Sequence, residues 1–283
     1  MPNIAYINGE FLPLEDAKIS VEDRGVQFGD GVYEVVRVYG GQPFQLEAHL
    51  TRLARSATAI EVPFPLTTSE WESLIFEGIR LSRYQESKVY LQVTRGVAPR
   101  EHGFSLALVP TVLVTIREMP LPDETRETQG VAVITLPDIR WGRCSIKSLN
   151  LLPNVLAKQQ AMQAGAFEAI FVREGFITEG TSSNVMMVKD GTIATPALND
   201  HLLPGVTRQT ILDLAQEAGS VVEERDILQE ELRNADELFL VGTTIEVLPV
   251  IQLDGHSIGN GCAGPIAKSL LARLRAVVAQ KMM

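Results

Sequence analysis

The chain has 283 residues, 45% of them hydrophobic and 21% charged, with a formal net charge of -10. That length exceeds the usual size of a single core, so two domains or one large one are expected, with ample apolar material to bury. The acidic balance excludes the concentrated basic patch that nucleic-acid backbones require, and no apolar stretch is long enough to cross a bilayer. The start, Met1-Pro2-Asn3-Ile4-Ala5-Tyr6, has neither the basic opening nor the apolar run of a secretory signal, so the cytoplasm is the expected location. Cys144 and Cys262 stand far apart, and His49, His102, His201 and His256 lack ligand spacing. Reduced thiols and no metal site are therefore expected.

In chain order, Tyr33 to Tyr39 reads as a strand. Leu46 to Ile60 reads as an amphipathic helix with Leu46, Leu50, Leu53, Ala57 and Ile60 on one face, which puts Arg52 and Arg55 off the apolar stripe. A second helix is expected over Thr68 to Arg83. Lys88 to Thr94 alternates Val89, Leu91 and Val93 with polar or aromatic residues as a half-buried strand does, and Thr111 to Glu118 forms another. Met119-Pro120-Leu121-Pro122-Asp123-Glu124-Thr125 breaks both patterns, so a linker is expected at 120–125 between domains 1–119 and 126–283.

The second half reads as a β-rich domain. Phe167 to Val172 turns at Glu174-Gly175, and Asn184 to Val188 turns at Asp190-Gly191. Helices are expected from Pro153 to Ala164, ahead of Gly165, and from Val206 to Ala218, ahead of Gly219.

Four segments together supply an amine, an anion and two small-residue turns. Lys147 lies in Arg140-Trp141-Gly142-Arg143-Cys144-Ser145-Ile146-Lys147-Ser148, where burial and nearby positive charge would disfavour the ammonium and leave a nucleophilic amine. By itself it is equally readable as a surface lysine. Glu179 is followed by Gly180-Thr181-Ser182-Ser183-Asn184, small hydroxyl residues expected to fix the carboxylate by hydrogen bonds. Taken alone, this is also an ordinary turn. Leu203-Pro204-Gly205-Val206-Thr207-Arg208 opens a helix whose first amides suit a phosphate, and Val241-Gly242-Thr243-Thr244 ends an apolar strand. Arg52 is a further cation for a phosphate, although a solvated helix face is the commoner fate of such a residue.

Asp23-Arg24-Gly25-Val26-Gln27-Phe28-Gly29-Asp30-Gly31-Val32-Tyr33-Glu34, the lysine segment, Thr178-Glu179-Gly180 and Pro204-Gly205-Val206-Thr207-Arg208 occur in the order of the fold-type IV aminotransferases. The chain resembles that family from about Ile7 to Ile251. The resemblance implies an α+β, two-domain fold with a small α/β N-terminal domain and a larger, β-rich pseudo-barrel domain. It also implies pyridoxal 5'-phosphate as cofactor, amino acid and 2-oxo acid substrates, and a homodimer whose active site is shared across the interface. Lys147 would form the Schiff base and shuttle the proton, and Glu179 would pair with the pyridine nitrogen. Arg52, Val206, Thr207, Gly242 and Thr243 would hold the phosphate, while Leu203 would pack on the ring.

Within the family, Arg95-Gly96-Val97-Ala98-Pro99-Arg100-Glu101-His102 is similar to the substrate-carboxylate loop of bacterial D-amino-acid transaminases. That likeness implies that Tyr33, Arg100 and His102 grip the carboxylate, the loop coming from the second subunit, with Thr244 also at the substrate. Gly242 and Ile245 depart from it, standing where serines are usual. Branched-chain L-amino acids or (R)-amines are thereby left as alternative substrates, and an aminodeoxychorismate lyase as an alternative reaction.

Overall fold

The computed structural model describes Asn3–Pro120 and Asp123–Met282; Met1, Pro2, Leu121, Pro122 and Met283 lie outside the described residues. The chain divides into two units, the first running to residue 121 with Ile146–Asn150 added, the second holding most of the remainder. The sequence places residues 146–150 in the second domain. They lie with the first unit instead, because their backbone pairs with a first-unit strand.

The first unit contains β1 (Ile4–Ile7), β2 (Glu10–Pro13), α1 (Arg24–Phe28), β3 (Gly31–Tyr39), β4 (Gln42–Pro43), α2 (Leu46–Ala59), α3 (Thr68–Ser82), β5 (Ser87–Thr94) and β6 (Thr111–Glu118). Six strands form one antiparallel sheet in the order β2-β1-β6-β5-β3-β4. The alternation in β5 places Val89, Leu91 and Val93 in the core, where Leu50, Leu53 and Ala57 of α2 and Trp71, Ile75 and Ile79 of α3 join them. Each such aliphatic side chain contributes roughly 1.5–3 kcal/mol through burial. Helix α3 starts with a capping box, Thr67 and Glu70 bonding each other's backbone N–H, and stops at Arg83 in the left-handed conformation.

The second unit contains α4 (Glu124–Gln129), β7 (Val131–Pro137), α5 (Leu152–Gln163), β8 (Glu168–Arg173), β9 (Phe176–Gly180), β10 (Asn184–Lys189), β11 (Thr192–Thr195), α6 (Val206–Glu217), β12 (Val222–Glu224), α7 (Gln229–Arg233), β13 (Glu237–Gly242), β14 (Glu246–Leu253), β15 (His256–Ser257) and α8 (Pro265–Met282). Helix α4 begins inside the expected linker, because the Asp123 side chain accepts from the Thr125 N–H and caps it. Nine strands form a mixed sheet, β12-β11-β10-β13-β14-β7-β8-β9 with β15 on β14. The parallel pair β7 and β8 is joined through α5, and β11 and β12 through α6, as parallel pairing requires. The hairpins turn where expected, at Glu174-Gly175 and Asp190-Gly191, all four residues having positive φ.

Candidate active site

In the first unit, Lys147 is held through its backbone. Its carbonyl accepts from the Tyr33 N–H at 3.0 Å, Leu149 N–H donates to Gly31 O at 3.0 Å, and Lys147 N–H donates to Ser56 Oγ at 3.2 Å. Val32 and Ser148 form an isolated bridge between these anchors. The half-buried amine therefore stands 4.4 Å from the centre of the Tyr33 ring, which stacks on Tyr90. Its partial burial and the ring beside its amine set it apart from a fully solvated surface lysine. Arg140, expected to crowd it with positive charge, is engaged by two carboxylates of the second unit, and Arg143 is exposed.

Arg52 is not on a solvated face. It is buried and paired with Glu34, with Nε donating to Oε1 at 2.6 Å and an Nη to Oε2 at 2.9 Å. His49 Nδ1 lies 2.8 Å from Oε2 of the same carboxylate. His49, Arg52 and Ser56 lie one helical turn apart, so the face of α2 turned inward is wider than its aliphatic stripe. Charged residues there escaped the apolar periodicity because their burial depends on a partner 18 positions away.

The loop between β5 and β6 carries Arg100 and His102, both exposed. The Arg100 guanidinium lies 4.6 Å from the centre of the Phe28 ring and donates to Gln27 O at 3.0 Å, and the His102 ring meets Phe28 edge-on at 5.6 Å. The two expected carboxylate binders are thus brought together on one aromatic residue of α1.

In the second unit, Glu179 is buried at the end of β9. One oxygen accepts from Arg140, and the other from the Leu203 N–H at 2.9 Å and Asn184 Nδ2 at 3.3 Å. The hydroxyls expected to fix it face elsewhere. Thr181 and Ser183 donate to Glu168 Oε1 at 3.0 and 3.1 Å, and the Ser182 N–H donates to it at 2.6 Å. The turn after Gly180 carries these groups away from Glu179, which takes its donors from residues 5 to 39 positions distant. Arg140 also binds Asp138 through Nε and Nη2 at 3.0 and 2.9 Å. Burial would raise the Asp138 carboxyl, but Arg140 outweighs it and holds it below its ordinary range. Arg140, Asn184 and Glu168 were not singled out from the sequence, although Arg140 stands in the lysine segment itself.

Helix α6 opens at Gly205 with no side-chain cap, so the first-turn amides of Val206 and Thr207 are not met by a cap. Gly205 is required, since a Cβ would fall 2.0 Å from Asn184 Oδ1, on the same side-chain amide whose nitrogen donates to Glu179 and to Leu203 O. Gly242, Thr243 and Thr244 form the half-buried turn between β13 and β14, closed by Ile245 N–H on Gly242 O at 3.2 Å. A fixed buried carboxylate, an uncapped helix start and a small-residue turn in one unit suit a phosphorylated pyridine cofactor.

A family model for amino-transferase class IV matches residues 31–253. D-alanine aminotransferase of Bacillus licheniformis is 44% identical over 269 residues, covering 95% of this chain and 94% of that protein. The D-alanine aminotransferase of Staphylococcus haemolyticus is 41% identical, covering 94% of each chain. Among solved structures, a branched-chain amino acid aminotransferase of Escherichia coli superimposes with a TM-score of 0.91 at 27% identity, over 98% of this chain and 94% of that one. A T.th. branched-chain amino acid aminotransferase with pyridoxamine 5'-phosphate gives 0.87 at 30% identity, over 98% and 94%.

Proposed function

The chain belongs to the class IV aminotransferases, and from that premise we propose that it moves the amino group of a D-amino acid, such as D-alanine, to a 2-oxo acid such as 2-oxoglutarate or pyruvate. The observation that carries this reading is 41–44% identity to D-alanine aminotransferases over nearly the whole chain. Pyridoxal phosphate, the cofactor of this enzyme class, supplies an aldehyde carbon and an electron sink.

The chain's residues divide the remaining work. Lys147 Nζ would carry the proton from the α-carbon of the amino acid to the cofactor in one half-reaction and back in the other. Glu179 would keep a proton on the ring nitrogen and Leu203 would pack on the ring, while the Leu203 N–H steadies that carboxylate. Val206 and Thr207 offer amides to the phosphate, with Gly242 and Thr243 forming a second contact. Arg52 shares its charge with Glu34, so its contribution there is directional N–H donation more than net charge. Tyr33, Arg100 and His102 receive the substrate carboxylate, and Thr244 adjoins the substrate.

A homodimer in which the 95–110 loop serves the second subunit fits the exposure of Arg100 and His102. It also fits the exposure of Val21, Val26, Val97, Leu106 and Val109 on α1, its approach and the loop. No helix among the described residues is long and apolar enough to cross a membrane. With both cysteines free, a cytoplasmic setting is the natural one.

The test is the visible spectrum of the protein loaded with pyridoxal phosphate, before and after D-alanine, L-leucine and (R)-1-phenylethylamine are added separately. Conversion chiefly by D-alanine is expected. Conversion chiefly by L-leucine would favour the branched-chain reading, which the departures at Gly242 and Ile245 leave open. Conversion chiefly by the amine would make the carboxylate loop a misleading likeness.

A further inference from the structure

Three consecutive carbonyls of the 95–110 loop converge on one buried side chain. Arg24 donates through Nη1 to Glu101 O at 2.6 Å and Gly103 O at 3.5 Å, and through Nη2 to His102 O at 3.2 Å. Its Nε is held by Asp30 Oδ2 at 2.8 Å, and its own N–H donates to Gly96 O at 2.9 Å. The guanidinium lies 4.8 Å from the centre of the Phe28 ring and 5.8 Å from that of Phe104.

Asp30 is shared. Its oxygens also accept from Arg95 at 2.8 and 2.9 Å, and Arg95 continues to the carbonyls of Ile60 and Glu61 at 2.7 and 2.9 Å. The base of the loop is shut by Gly96, whose φ of +104° and would-be Cβ 2.0 Å from Val109 O admit glycine alone. Further along, Ala98 N–H donates to Glu22 O at 3.1 Å, and Arg100 and His102 rest on Phe28.

We propose that Arg24 is a positioning residue for the substrate carboxylate: by gathering the carbonyls of residues 101–103 it fixes the backbone from which Arg100 and His102 present their side chains. The inference rests on the reading that those two residues bind the carboxylate. A planar guanidinium with five donors in a fixed fork meets Asp30 and the loop carbonyls together; a lysine ammonium at that site keeps the charge on Asp30 but cannot span the rest. Exposed side chains on the long connection between β5 and β6 would otherwise be ordered only at an entropic cost during binding.

The experiment compares wild-type holoenzyme with Arg24→Lys, Phe104→Leu and Arg100→Ala. Two experiments are run: hydrogen exchange of peptides spanning residues 96–104, with β5 and β6 as the folding control, and steady-state kinetics giving KM and kcat for D-alanine. For Arg24→Lys, faster exchange confined to the loop and a KM raised about tenfold with kcat nearly unchanged are expected. Phe104→Leu removes a ring that lies 5.8 Å from the Arg24 guanidinium and 3.5 Å from that of Arg95, the two arginines being joined through Asp30; it should shift both readouts the same way and carries the test if Arg24→Lys does not fold. Unchanged loop exchange in the variants overturns the proposal. So does faster exchange with an unmoved KM when Arg100→Ala does raise KM. If Arg100→Ala itself leaves KM unmoved, the carboxylate reading fails first, and this inference falls with it.

Discussion

Glu34 and Arg52 form a bidentate ion pair inside the first unit, with the carboxylate fully buried and the guanidinium nearly so. Burial alone would raise the Glu34 carboxyl; the Arg52 charge and the bonds from His49 and Arg52 outweigh it and hold the group well below its ordinary range. Glu34→Gln removes the buried negative charge that faces the Arg52 guanidinium, and a loss of about 3–5 kcal/mol is expected, read as a lower urea midpoint. An unchanged midpoint would show that the pair does not stabilise the fold.

The same cluster sets an acid limit. Burial is the chief cause that lowers the His49 pKa, only partly opposed by Glu34, and Glu34 is lowered by its partners. Both groups bind protons more weakly folded than unfolded. Each therefore contributes stability above its unfolded value, from 6.5 for His49 and 4.5 for Glu34, and loses it as pH falls. The melting temperature should decline from about pH 6.5 downward, more steeply below about pH 4.5. A melting temperature that stays level through this range contradicts the assignment.

Lys147→Ala should reduce D-alanine turnover by at least about three orders of magnitude while circular dichroism and melting remain near wild type. Its anchors are backbone groups, which alanine keeps. Near-normal turnover would remove Lys147 from the chemistry.

Arg140→Met is expected to be severe for a different reason. It leaves Asp138 and Glu179, two buried carboxylates, without their shared cation. A destabilisation of about 3–5 kcal/mol and loss of pyridoxal phosphate on gel filtration should follow, with Arg140→Lys intermediate. Full cofactor retention in Arg140→Met would mean that Glu179 does not need Arg140 in order to hold the cofactor.

The two thiols should separate chemically. Burial pushes the Cys144 thiol up to about 11, whereas Cys262 is exposed. One thiol per chain is expected to react with a disulfide reagent at neutral pH, and none quickly in Cys262→Ser. Two fast-reacting thiols in the folded protein would show that Cys144 is accessible.

Local signals in the sequence were strong where a backbone conformation demanded a residue type. Glu174-Gly175 and Asp190-Gly191 marked their hairpins because both positions of each turn require positive φ, and the helix expected over Thr68 to Arg83 matches α3 within a residue. The five-residue α1 left no trace in periodicity, since it is shorter than two turns and is fixed by Asp23 capping Gly25 and by loop carbonyls some 77 positions away. The site divides the same way. Lys147 and Glu179 stand in recognisable segments, but what holds Glu179 comes from Arg140, Asn184 and Leu203, and the neighbouring hydroxyls that seemed its natural partners serve Glu168. Proximity along the chain was a poor guide once a turn intervened.

The return of Ile146–Asn150 to β3 also bears on how this protein can be cut. A gene fragment ending at the Pro120 linker would encode Tyr33, Gly31 and Ser56 without the segment that hydrogen-bonds to them, and the complementary fragment would carry a lysine with none of its anchors. Nascent chain leaving the ribosome meets the same condition: the first unit can finish its own bonding only after residue 150 has been made, so its completion is delayed until part of the second has emerged.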